Sequence, residues 1–216
     1  MSAMATTIAG ESVSLLPERA LFWTAQSTLF IADPHFGKAA TFRARGIFVP
    51  RGTTTETLAR LDAAIERTGA ARIVFLGDFF HARESHSAGT LEALARWRAR
   101  HPARLISLVR GNHDRHAGDP SPSLGIEIVA TGQQLGPFIL AHEPVAHLAG
   151  HVLAGHLHPV FQLRGRANQT ARLPCFWVGD RVSVLPAFGS FTGGAPIATS
   201  AGDRVFLVAD GRVFAV

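Results

Sequence analysis

The chain is expected to fold as an α/β protein with two β-sheets, and three observations lead there. Its first half alternates apolar runs of strand length with segments of helical period. Its second half carries only short apolar runs, and several runs in both halves end in histidine, aspartate or asparagine. Strand, helix, strand, helix, strand implies parallel pairing through right-handed crossovers, with a site at the carboxyl ends of the strands. A second sheet made from the later runs would pack on the first.

Residues 12–16 and 20–23 are short strand candidates separated by Pro17-Glu18-Arg19, and polar Gln26-Ser27-Thr28 leads into 29–32. This third run has the apolarity of a buried strand and ends in Asp33-Pro34-His35-Phe36-Gly37-Lys38. Pro34 keeps Asp33 extended, and in extended backbone Asp33 and His35 project to the same side. An isolated Asp-x-His is most often ordinary surface loop. The stretch 38–51 interleaves Lys38, Arg43, Arg45 and Arg51 with Phe42, Ile47, Phe48 and Val49. It reads equally as a solvated basic loop or as a contact for a phosphate backbone. Thr53, Thr54 or Thr55 can cap a helix over 56–67, where Leu58, Leu61, Ala64 and Ile65 recur at helical spacing and Gly69 closes the end.

A second buried strand, 72–76, ends in Gly77-Asp78, with His81 close behind. A helix over about 88–100 presents Leu91, Leu94, Ala95 and Trp97 on one face, and Pro102 separates it from a third buried strand, 105–109. That strand runs into Gly111-Asn112-His113-Asp114, which taken alone is as good a polar turn as it is a site. Helical signals then fade. Short runs recur at 126–129, 138–141, 152–154, 160–163, 176–178, 182–185, 205–209 and 213–216, the material for the second sheet. Two of these lead into histidine, at Ala141-His142-Glu143 and at Gly155-His156-Leu157-His158. Two imidazoles spaced x and x+2 after a glycine can face one cavity.

With 216 residues, 47% of them hydrophobic, the chain suits one domain, 1–216, with a sizeable core. Lys and Arg outnumber Asp and Glu by 21 to 16, which lends weak support to a polyanionic partner. A single cysteine, Cys175, excludes an internal disulfide framework and reads as a small buried hydrophobe. No stretch is long and apolar enough to span a bilayer, and residues 1–10 lack the basic start and apolar core of a signal peptide, so a soluble, cytoplasmic protein is expected. Trp23, Trp97 and Trp177 read as core.

Any one of these strand ends could be accidental, but the ordered set D-x-H, G-D, G-N-H-D, H and G-H-x-H is specific. From Asp33 to His158 it resembles the calcineurin-like metallophosphoesterase superfamily. The resemblance implies a four-layer αββα sandwich, two mixed β-sheets flanked by helices, around a binuclear metal centre. It assigns Asp33, His35, Asp78 and His158 to one metal and Asp78, Asn112, His142 and His156 to the other. Asp78 would bridge, as two divalent cations roughly 3.5–4 Å apart need an anion between them. His113 matches a non-ligand histidine that contacts the phosphoryl group or protonates the leaving oxygen. Asp114 would orient it by accepting a proton from the other ring nitrogen. With these positions filled, His81, His86, His101, His116, His147 and His151 are expected not to be ligands. Imidazole, carboxylate and amide ligation fits Mn²⁺, Fe or Zn²⁺; the resemblance favours two Mn²⁺ ions.

Further segments narrow the likeness: 33–43, Gly46-Ile47 with Pro50, Gly77-Asp78-Phe79-Phe80-His81, Leu173-Pro174-Cys175-Phe176-Trp177, Leu185-Pro186-Ala187-Phe188-Gly189 and Phe191-Thr192-Gly193-Gly194. They resemble the bacterial ligase-associated DNA damage response endonuclease branch. That implies a manganese-dependent phosphodiesterase cutting DNA in repair, in association with a DNA ligase, an exonuclease and a helicase. A phosphatase or small-nucleotide phosphodiesterase on the same scaffold is the alternative. A scaffold protein with an inactive centre is a third reading, against which stands a ligand set without replacements.

Overall fold

The computed structural model describes residues 2–49, 52–165 and 169–216. Its elements are β1 (Met4–Ile8), β2 (Glu11–Leu15), β3 (Leu21–Trp23), β4 (Thr28–Ile31), α1 (Lys38–Ala44), α2 (Thr53–Thr68), β5 (Arg72–Leu76), α3 (Ala88–Arg100), β6 (Leu105–Val109), α4 (Asn112–Ala117) and β7 (Ile126–Val129). There follow β8 (Gln133–Leu135), β9 (Phe138–Leu140), β10 (His151–Ala154), β11 (Pro159–Arg164), β12 (Thr170–Val178), β13 (Val182–Val184), β14 (Ala195–Pro196), β15 (Arg204–Ala209) and β16 (Arg212–Ala215).

The first sheet keeps sequence order from β1 to β7. Neighbours are antiparallel from β1 to β4 and parallel from β4 to β7. In the second sheet β10 lies between β9 and β13, parallel to both, and β12 pairs antiparallel with β11, β13 and β15. Both sheets are therefore mixed. Strand alternation sends successive side chains to opposite faces. Leu29, Ile31, Ile73, Phe75, Ile106 and Leu108 meet Leu58, Leu61, Ile65, Leu94 and Trp97 of α2 and α3 on the outer face. Phe30, Val74, Leu76 and Val109 turn inward and meet Phe138, Leu140, Leu153, Phe176 and Phe206 of the second sheet. Truncating a fully buried side chain such as Leu61 to alanine costs roughly 2–5 kcal/mol in such a core. Trp97 Nε1 also donates to Asp62 Oδ1 at 2.9 Å, tying α3 to α2.

The paired mixed sheets and the helical layer on the first sheet are as expected. Among the described residues no α-helix follows α4, and the outer face of the second sheet carries two small apolar clusters, one with Phe161 and Ile197 packed on it. Three local expectations are corrected. The stretch after His35 is a helix, α1, rather than a basic loop up to Ala44; Pro50 and Arg51 at its far end lie outside the described residues. Helix α2 starts at Thr53 after Gly52, whose left-handed backbone occupies the cap position, so none of the threonines caps it. Residues 126–129 pair in parallel with β6 and extend the first sheet rather than the second.

Candidate metal centre

Strands β4, β5 and β6 run parallel, so their carboxyl ends deliver Asp33, Asp78 and Asn112 to one edge. The chain keeps pairing past the strand ends: Asp33 N–H donates to the Gly77 carbonyl at 3.3 Å and His35 N–H to the Asp78 carbonyl at 3.0 Å. From the second sheet, parallel β9 and β10 bring His142 and the 156–158 turn to the same place. His156 N–H donates to Asp33 Oδ2 at 2.9 Å, which stitches the two sheets together at the site.

Two groups of donor atoms result, joined by Asp78. In the first, His35 Nε2 lies 3.3 Å from His158 Nε2 and 3.7 Å from Asp78 Oδ2, and His158 Nε2 lies 3.6 Å from Asp33 Oδ1. In the second, His142 Nε2 lies 2.9 Å from Asn112 Oδ1, 3.1 Å from His156 Nδ1 and 3.4 Å from Asp78 Oδ1. His142 Nδ1–H donates to the Leu76 carbonyl at 3.0 Å, which leaves the Nε2 lone pair facing its neighbours. All seven residues expected around the metals are thus brought together.

The local backbone is strained to do this, and Asp33 and His35 are left-handed rather than in the extended backbone expected around Pro34. Nine non-glycine residues among those described have positive φ, and five of them are Asp33 (51°), His35 (45°), Asp78 (52°), His156 (70°) and His158 (47°). Such strain costs of order 1–3 kcal/mol per residue and persists where surrounding structure enforces it, characteristically at functional sites. Two glycines make room for the carboxylates. A Cβ on Gly111 would sit 2.1 Å from Asp78 Oδ1, and one on Gly155 would sit 2.5 Å from Asp33 Oδ2.

The donor set fits divalent cations. Asp33 and Asp78 are 0% and 2% exposed, and no lysine or arginine among the described residues forms an ion pair with either. Asp33 Oδ1 is buried without a hydrogen-bond partner, while ring nitrogens converge around it. Burial pushes the Asp78 carboxyl up, against the pull of His142, and pushes His35 well below the usual imidazole range. Buried carboxylates facing neutral imidazole lone pairs are poorly matched to one another and well matched to a metal.

His113 stands beside this set, its Nε2 4.0 Å from Asp78 Oδ2 and its side chain about one third exposed (36%). Asp114 does not orient it. The Asp114 carboxylate is buried and accepts Phe80 N–H at 3.0 Å and Gly111 N–H at 2.9 Å, so it pins the ends of two loops. His113 Nδ1–H donates instead to the His81 carbonyl at 2.6 Å, and the His81 ring stacks on it at 4.6 Å between centroids. Of the other histidines, His101 pairs with Asp62 and His151 with Ser183, away from the donor set, while His116 Nδ1–H donates to the backbone carbonyl of Asn112 at 2.8 Å. His81 is closer: one of its ring nitrogens lies within 4.8 Å of a ring nitrogen of His35 and of His113.

The sequence model of the Calcineurin-like phosphoesterase family matches residues 27–211. The chain belongs to that family. As a calcineurin-like phosphoesterase it is a metal-dependent enzyme, and its family is one of binuclear metal centres. Among solved structures it is similar to Pseudomonas putida nuclease MPE, with 43% sequence identity, a TM-score of 0.89 and 100% of each chain covered. It is also similar to Yfce, a phosphoesterase from E. coli, at 16% identity and a TM-score of 0.40 over 85% of this chain and 88% of that one. No curated protein matched. Among the described residues no helix of this phosphoesterase is long and apolar enough to cross a membrane.

Proposed function

We propose that the chain is a manganese-dependent phosphodiesterase that cuts DNA internally in bacterial repair. The observation that carries the reading is the position of Asp78 between the two donor groups, its Oδ2 facing His35 at 3.7 Å and its Oδ1 facing His142 at 3.4 Å. In this reading Asp33, His35, Asp78 and His158 hold one ion and Asp78, Asn112, His142 and His156 the other. The similarity to a nuclease over the full chain supports a nucleic-acid substrate, and the excess of basic residues suits a polyanion.

Two divalent ions held there would supply charge neutralisation at the phosphoryl oxygens and a lowered pKa for the attacking water. The protein's own groups do the rest. Asp78 and Asp33, buried and hydrogen-bonded from the backbone, fix the donor atoms before substrate arrives. His113, with Nδ1–H held by the His81 carbonyl, turns Nε2 toward the substrate. Protonated, Nε2–H donates to a phosphoryl oxygen or hands its proton to the leaving oxygen. No side-chain nucleophile is needed.

The test is hydrolysis, with and without Mn²⁺, of bis-p-nitrophenyl phosphate, p-nitrophenyl phosphate and covalently closed single-stranded DNA circles. Metal-dependent cleavage of the diester and linearisation of the circles is expected. Activity on the monoester alone would overturn the reading and favour a phosphatase.

A further inference from the structure

A cavity of about 350 Å³ adjoins the centre, with His142 in its wall, and it falls in the size range of small-ligand sites. Its walls are of two kinds. Ile139, Ala141 and Val152 are buried apolar side chains, and Val145, 69% exposed, stands at the rim on the loop that follows His142. Thr131, His147 and the exposed Arg115 and Glu143 supply polar groups, and of these Arg115 and Glu143 carry the charge. Among the described residues the Arg115 side chain has no hydrogen bond or ion pair, whereas Arg110, also in the wall, is held by Asp119 at 2.7 and 2.6 Å. An apolar wall, an exposed carboxylate and an uncommitted guanidinium beside a phosphoryl site suit one chemical class. The apolar face takes a flat heterocycle, the Glu143 carboxylate accepts from an exocyclic amine, and the guanidinium takes a phosphate.

Resting on the phosphodiesterase reading, we infer that this cavity is a nucleotide subsite, in which the base of the nucleotide next to the scissile phosphate packs against Val145 and Ala146 at the rim, above buried Ile139 and Val152. Arg115 meets the neighbouring phosphate of the strand. The loop carrying Val145 and the 94%-exposed Leu148 supplies an apolar lip for an unstacked base, an arrangement suited to single-stranded or distorted nucleic acid. Ala146, exposed on the same loop and lining the cavity, gives a way to fill it from outside the core.

The experiment is calorimetric titration of the Mn²⁺-loaded protein with deoxycytidine 5′-monophosphate, deoxyribose 5-phosphate and inorganic phosphate, a readout that does not need turnover. The unaltered protein is expected to bind the nucleotide at least about tenfold more tightly than the sugar phosphate, the scale of a base stacked on an apolar surface. Ala146→Trp is expected to bring that ratio towards one. Arg115→Ala is expected to reduce the salt dependence of affinity for an oligodeoxynucleotide by about one phosphate contact, a slope change of about 0.7 on single strands. Equal affinity for nucleotide and sugar phosphate in the unaltered protein overturns the subsite, as does a nucleotide preference that Ala146→Trp leaves intact. Loss of diester hydrolysis with the preference retained would count against the phosphodiesterase reading instead.

Discussion

Asp78 Oδ1 occupies the space that a side chain on Gly111 would take, since a Cβ there would lie 2.1 Å away. The glycine of Gly111-Asn112-His113-Asp114 therefore admits the carboxylate that joins the two donor groups, and the same residue's N–H is held by Asp114. Gly111→Ala is expected to displace Asp78 or the start of α4, costing about 1–3 kcal/mol of stability as an overpacked site does. Thermal unfolding with Mn²⁺ analysis of the purified variant checks this. A variant as stable and as metal-rich as the parent would contradict it.

His113→Ala is expected to lower turnover of bis-p-nitrophenyl phosphate by about 10²–10⁴-fold, the range for a positioned proton donor. Metal content should be retained, because His113 is not among the donors assigned to either ion. Steady-state kinetics with elemental analysis of the same preparation decides the point. Turnover equal to the parent's would remove His113 from the reaction.

Asp114→Ala should act on stability rather than on protonation. It strips the partners from two backbone donors, Phe80 N–H and Gly111 N–H, at a cost of about 1–3 kcal/mol. Turnover of the folded fraction should fall far less than in His113→Ala, since the His113 Nδ1 partner is the His81 carbonyl. A loss of turnover in folded protein as large as that of His113→Ala would restore the orienting role to Asp114.

His151 gives a pH signature remote from the centre. Burial holds its imidazole below the usual range, with Asp180 opposing, and its Nε2 lies 2.8 Å from Ser183 Oγ. The folded value is depressed, so the contribution to stability is present above the unfolded value of about 6.5 and is lost as pH falls through the folded value. His151→Gln should therefore lose less stability than the parent on acidification below about pH 6.5. Parallel curves from chemical denaturation would refute this.

The buried strands of the first sheet and helix α3 were legible because long apolar runs and a clear 3.6 period leave few alternatives. The candidate donors were legible as a set because each follows a strand end. What escaped had weak local signals. Helix α1 opens with Gly37 in a left-handed cap and Lys38 in the first turn, and α4 has six residues, too few to show a period. β1, with alternating exposure in Met-Ala-Thr-Thr-Ile, lies at an edge of its sheet. The sheet membership of β7 depends on pairing, which short runs do not encode. The Asp114 role failed for another reason: the group that holds His113 is a backbone carbonyl, and every residue has one.

The most direct test of a centre bridged by Asp78 is the Mn²⁺ stoichiometry of the purified protein and of Asp78→Ala, measured by elemental analysis after dialysis. Close to two ions per chain are expected in the parent, with loss at both positions in the variant. One ion per chain in the parent, or two retained without the Asp78 carboxylate, would contradict the bridged pair.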